Sequence, residues 1–259
     1  MNPQIEVMRQ YFVTVCRIFA NVGSSQGKMN EKLLENSRPV SLRPVAIALC
    51  LTCIAWLTFE GMASLLTENR IDFEQAWIEF LRDPQDPGKI VGPELFEEAI
   101  RDLSALGGYV VVGTVIICFA TFGWLSYGRP FVRLFLISVL GGYGCSMLLK
   151  LAFNRDRPSV VPHLSHVATK SFPSSHAMVS SIVYLSIGLL LAKQTRDARV
   201  RTLLILIPLC LTGLVGFSRV AMGVHYPTDV LAGWTAGLLW ILIVFSLQSV
   251  ILQNHQEGQ

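Results

Sequence analysis

Six stretches of this chain are too long and too apolar for a water-soluble core. They cover residues 44–66, 105–126, 131–149, 174–192, 202–217 and 229–250. Glu60 is the single charge in the first, Arg133 the single charge in the third, and Asp229 opens the sixth; the others carry none. A helix rises about 1.5 Å per residue and the hydrocarbon layer is about 30 Å thick, so such runs cross it, the shorter ones by extending into their flanks. Composition agrees. Of 259 residues only 15% are charged, against about 25% in soluble domains. Intrinsic disorder, a collagen-like fibre and an ordinary cytosolic enzyme are excluded. The expected fold is all-α, a polytopic membrane bundle of about six transmembrane helices.

Basic residues in the loops orient such a bundle. The segment before the first run carries Arg9, Arg17, Lys28, Lys32, Arg38 and Arg43. Arg129 and Arg133 follow the second run; Lys193, Arg196, Arg199 and Arg201 follow the fourth. With six spans these segments share one side, the cytoplasmic one. The loop 67–104 is acidic and faces outward, as do 150–173 and 218–228. The domain layout is then a cytoplasmic segment 1–43, with residues 5–20 suited to an interfacial helix, a membrane domain 44–250 and a cytoplasmic tail 251–259. No cleavable signal precedes the first run, which reads as a signal anchor. Within the outer loop, Asp86-Pro87-Gly88 marks a turn and Pro93 starts a short helix rich in acids.

Five of the six cysteines (Cys50, Cys53, Cys118, Cys145 and Cys210) lie in apolar runs, and Cys16 lies in the N-terminal segment. They read as small hydrophobes rather than a disulfide framework. The net charge of +3 offers no basic stripe for nucleic acid, and no convincing metal-ligand cluster stands out. Gly233 and Gly237, four apart in the sixth run, suit close helix packing. Glu60 is a costly acid near the outer end of its run.

Three stretches place polar groups where a membrane span does not need them. They are Lys150 to Pro158, Ser171 to His176, and Ser218 to Asp229. All three fall at the outer membrane face. Together they bring Lys150, Arg157 and Arg219 as cations, His176 and His225, and the carboxylate of Asp229. Such a set suits a tetrahedral oxyanion, most naturally phosphate, because arginine offers a planar donor fork and lysine a point charge. Pro173, Ser174 and Ser175 read as a helix N-terminus, whose free N–H groups and dipole attract an anion. His225 stands four residues before Asp229, which can hold one ring nitrogen and leave the other free as a nucleophile. Arg155 and Asp156 read as pairing with neighbours, and His163 and His166 as exposed loop residues.

These stretches resemble the type 2 phosphatidic acid phosphatase superfamily, which includes vanadium haloperoxidases and bacterial acid phosphatases. Its pattern is K-x6-R-P, then P-S-G-H, then S-R-x5-H-x3-D. The matching residues are Lys150 with Arg157-Pro158, then Pro173-Ser174-Ser175-His176, then Ser218-Arg219 with His225 and Asp229. Ser175 replaces the family's glycine. It keeps the N–H that contacts phosphate, and its β-carbon would crowd the site only if φ were positive.

The resemblance implies an enzyme that hydrolyses a phosphomonoester or pyrophosphate of a membrane lipid at the outer leaflet, without cofactor or metal. His225 would be the nucleophile and form a phosphohistidine. His176 would be the general acid, and Asp229 would orient His225. Lys150, Arg157, Ser174, Ser175 and Arg219 would bind phosphate. The implied partners are the bilayer and a lipid substrate: an isoprenoid pyrophosphate, phosphatidylglycerol phosphate or phosphatidic acid. No nucleic acid and no obligate protein partner are implied. The implied location is the cytoplasmic (inner) membrane, with the site facing outward, periplasmic if the source is bacterial. A lipid-linked phosphotransferase using the same intermediate, a non-catalytic lipid-phosphate transporter and a vanadium-dependent haloperoxidase are the rival readings.

Overall fold

The structure is a computed structural model that describes residues 42–66, 70–167 and 169–257. Eight helices appear among them: α1 (Arg43–Leu66), α2 (Arg70–Phe80), α3 (Glu94–Ala105), α4 (Tyr109–Tyr127), α5 (Arg129–Ala152), α6 (Ser175–Ala192), α7 (Ala198–Ala221) and α8 (Pro227–Glu257). No strand is present among the described residues. Five helices, α4 to α8, are long and apolar enough to cross a membrane, α8 through its segment Pro227–Gln248. The first apolar run forms α1, a continuous 24-residue helix. The expected interfacial helix at 5–20 and the side chain of Glu60 lie outside what is described.

Local chemistry explains the boundaries. Gly128, with φ 82°, separates α4 from α5, and Pro130 follows at the start of α5, where its missing N–H costs nothing. Asp197 caps α7 by accepting from the Arg199 and Val200 amides. Between α2 and α3, Pro93 takes the N-cap position of α3, one residue before the helix proper.

α6 is the axis of the bundle. Nearly every side chain on it is buried, and it packs against α5, α7 and α8. Small residues allow this. A β-carbon at Gly237 of α8 would stand 1.9 Å from the Ser181 hydroxyl, and one at Gly233 would stand 2.6 Å from the Ser174 carbonyl. The pair therefore packs α8 onto α6, as its spacing predicts. A β-carbon at Gly188 of α6 would meet the Leu204 carbonyl of α7 at 2.0 Å. Two serines inside α6 return their hydroxyls to its own backbone, Ser180 to Ala177 O and Ser181 to Met178 O, so these two cost little in an apolar setting. α2 and α3 sit over one end of the bundle, where α3 packs on α7 and α2 touches α1 and α8. That end holds the three polar stretches.

Candidate active site

Two backbone bonds and one side-chain bond knit the three stretches together. Ser171 N–H donates to Arg155 O at 2.9 Å, joining the first stretch to the second. Ser174 N–H donates to Asp229 O at 2.9 Å, joining the second to the third. Arg157 NH1 donates to Val224 O at 2.6 Å and closes the ring.

The turn between α7 and α8 aims His225. Gly223 adopts φ 70°, and a β-carbon there would fall 2.5 Å from Val161 and 2.6 Å from the Arg82 guanidinium. Only glycine fits this bend. Beyond it, the buried His225 ring stands between two groups of opposite charge. Its Nδ1 lies 3.5 Å from Asp229 Oδ2 and its Nε2 lies 3.3 Å from Arg157 NH1. A proton on Nδ1 toward the carboxylate leaves the Nε2 lone pair facing the cations. Burial pushes the His225 pKa down to about 4; the bond to Asp229 opposes this, and Arg157 and Arg219 reinforce it. The ring is therefore neutral at physiological pH.

Asp229 is fully enclosed and densely bonded. Its Oδ2 accepts from the Ser171 hydroxyl and from Tyr226 N–H at 2.9 Å, and its Oδ1 accepts from Arg155 NH1 at 2.8 Å. Arg155 also reaches Glu74 of α2. Burial alone would lower the Arg155 pKa, but the Asp229 and Glu74 carboxylates outweigh it and the net shift is upward.

Opposite this cluster stand the cations and a helix end. Arg219, in the last turn of α7, donates through NH1 to Ser104 of α3 at 2.7 Å, while its buried Nε has no hydrogen-bond partner. Ser174 is the N-cap of α6 with φ −68°, yet its buried hydroxyl neither caps the helix nor bonds elsewhere. Ser175 is the first residue of α6, and no non-glycine residue described has positive φ, so its β-carbon is accommodated. Its hydroxyl lies 3.2 Å from that of Ser146. Lys150, in the last turn of α5, donates to Lys170 O at 2.7 Å. Arg157 also donates through Nε to Thr169 O at 2.7 Å. His176, in the first turn of α6, meets the Tyr109 ring edge-on at 6.2 Å between centroids.

All eight residues singled out in the sequence thus converge at one end of the bundle. The structure adds Glu74, Arg155, Ser171 and Thr228 behind Asp229, Ser104 beside Arg219 and Ser146 beside Ser175. Ser171 and Thr228 lie within the polar stretches. Glu74 carried no signal, being one acid among ten in the loop 67–104. Asp156 pairs with Lys170 at 2.5 Å at the surface, and His163 contacts Pro158 O at 2.6 Å while remaining exposed. From His176 an apolar cleft of about 160 Å³ opens between α4, α5 and α6, lined in part by Tyr109, Ile116, Val139, Leu140 and Tyr143.

The sequence profile of the PAP2 superfamily matches residues 131–251, which include every residue of the cluster except Glu74 and Ser104. A phosphatidylglycerophosphatase B of Bacillus subtilis is 33% identical over 137 residues, covering 52% of this chain and 67% of that protein. A lipid A 1-phosphatase of Rhizobium johnstonii is 33% identical over 123 residues, covering 43% of this chain and 46% of that protein, so the chain spans just under half its length. The crystal structure of a transmembrane PAP2-type phosphatidylglycerolphosphate phosphatase from Bacillus subtilis superposes with a TM-score of 0.63 at 25% identity, over 77% of this chain and 96% of that one.

Proposed function

The chain belongs to the PAP2 superfamily and is a membrane lipid phosphatase of that type, and on this premise we propose that it works without metal, at the outer leaflet, through a phosphohistidine on His225. The observation that carries the proposal is the His225 ring held between Asp229 and Arg157, with Nε2 toward the cations.

The reaction has two steps. The Nε2 lone pair attacks phosphorus, and the bond from phosphorus to the leaving oxygen breaks. That oxygen keeps the electron pair and takes a proton from His176, a contribution of about 10²–10⁴ in rate. Asp229 stabilises the imidazolium character that develops on His225. Water then attacks phosphorus and gives its proton to His176. The P–N bond breaks, and its electrons return to His225. Throughout, Lys150, Arg157, Arg219, the Ser174 hydroxyl and the Ser175 N–H hold the phosphoryl oxygens. These cations supply the neutralisation that a metal supplies elsewhere.

The cleft beside His176 gives an alkyl chain a path from the bilayer, which favours an amphipathic substrate over a soluble sugar phosphate. Phosphatidylglycerol phosphate, phosphatidic acid and an isoprenoid pyrophosphate are the candidate substrates. By the distribution of basic loops the site faces outward from the cytoplasmic membrane. The test is phosphate release by detergent-purified protein from these three lipids with chelator present. Release by wild type, lost in His225→Ala, supports the proposal. Release that needs added metal, or that survives His225→Ala, overturns it.

A further inference from the structure

Glu74 belongs to no motif, yet its carboxylate is completely buried. Enclosing an ionised carboxylate is costly unless it is well paired. Glu74 is paired at both oxygens. Oε1 accepts from the Thr228 hydroxyl and from Thr228 N–H at 3.3 Å, and Oε2 accepts from Arg155 NH2. The other arm of the same guanidinium donates at 2.8 Å to Asp229 Oδ1 and at 2.8 Å to Thr228 Oγ1. The Arg155 plane is further held over the Tyr226 ring, 4.1 Å from its centroid. Two enclosed carboxylates therefore share one guanidinium, and the line runs Glu74–Arg155–Asp229–His225 from an outer-loop helix into the reacting pair.

An anchor for α2 needs no such arrangement. Buried ion clusters are weak stabilisers, and apolar residues of similar volume often serve as well. What the cluster does specifically is fix Asp229 and apportion charge. Oδ1 is held by Arg155, so Oδ2 is the oxygen turned to His225. The charge of Arg155 is divided between Glu74 and Asp229. Without Glu74 the whole cation would act on Asp229 and weaken its stabilisation of the imidazolium that forms on attack.

We propose that Glu74, acting through Arg155, is a positioning residue that sets the orientation and effective charge of Asp229. This rests on His225 being the nucleophile.

The test compares detergent-purified wild type, Glu74→Gln, Arg155→Gln, the double variant and His225→Ala on one short-chain lipid phosphate in mixed micelles. Glu74→Gln should lower kcat about 10- to 100-fold and change KM less than about threefold, because the phosphate donors are untouched. Single-turnover phosphoenzyme formation should slow by the same factor. Arg155→Gln should cost at least as much, since it leaves Glu74 unpaired. The double variant removes both charges and should be less impaired than the product of the two single effects. Glu74→Asp, which keeps the charge, should recover activity over Glu74→Gln and stands in if the latter fails to fold. The inference is overturned if Glu74→Gln keeps kcat within twofold, if the loss lies in KM, if the double variant is multiplicative, or if Glu74→Asp is no better than Glu74→Gln. An inactive His225→Ala beside a normal Glu74→Gln would sink this inference alone. An active His225→Ala would sink the reading beneath it.

Discussion

The two sides of His225 are built on opposite terms. Behind the ring, Asp229, Arg155, Thr228, Glu74 and Ser171 bond one another so completely that the carboxylates are enclosed without an unsatisfied oxygen. In front, the Ser174 hydroxyl and the Arg219 Nε are buried with no protein partner. Unsatisfied buried donors cost about 1–3 kcal/mol each, so folding alone would favour filling or removing them. The rear is fully satisfied and fixes the aim of the ring, whereas the front holds donors whose best partner is an oxyanion. The proposed reaction needs both, a fixed nucleophile and donors not already spent.

The largest effect that would break this contrast is expected at Arg219. Arg219→Ala should lower kcat/KM by about 10²–10³ through loss of charge stabilisation in the transition state. Steady-state kinetics on a lipid phosphate checks this, and a loss below tenfold would mean that the front donors are not organised for the reaction. Next comes a paired test of the two sides. Ser174→Ala should lower activity roughly tenfold while leaving thermal stability in detergent unchanged or raised, because it removes an unsatisfied buried hydroxyl. Thr228→Val, on the rear side, should instead destabilise by about 1–3 kcal/mol, because it leaves Glu74 short of a donor. Opposite outcomes in thermal unfolding would reverse the assignment of the two sides. The smallest effect is one of protonation. Burial lowers the His225 pKa to about 4, so the ring stays neutral from pH 8 down to pH 5 and takes a proton only below. Nitrogen-15 NMR of labelled histidines should show no His225 titration in that window; a midpoint near the ordinary value of about 6.5 would contradict it.

Much of the front was legible in the sequence, because a cation, a histidine or a proline–serine pair inside an apolar pattern is conspicuous. Lys150, Arg157, His176, Arg219 and His225 could be picked out for that reason, and Asp229, on the rear side, from its place four residues after His225. The helical class followed from run length alone, and Gly233 and Gly237 from their spacing. The rear was harder to read. Arg155 read as pairing with a neighbour, which is so, but its partners are 74 and 81 positions away. Glu74 sits in a loop where acids are common, and only the fold tells the enclosed one from the exposed ones. Ser104 and Ser146 were equally silent, since a serine in a helix carries no mark of what it will face. Long-range pairing of ordinary residues is set by tertiary packing, which one chain read by itself does not display.

The central claim is that phosphorus passes through His225, and trapping that bond tests it most directly. Wild-type protein would be mixed with a lipid carrying labelled phosphate, quenched within a turnover, and the labelled peptide mapped. The account predicts an acid-labile, base-stable label on the peptide containing His225, absent in His225→Ala. Label on another residue, or full turnover with no labelled protein at any quench time, would contradict it.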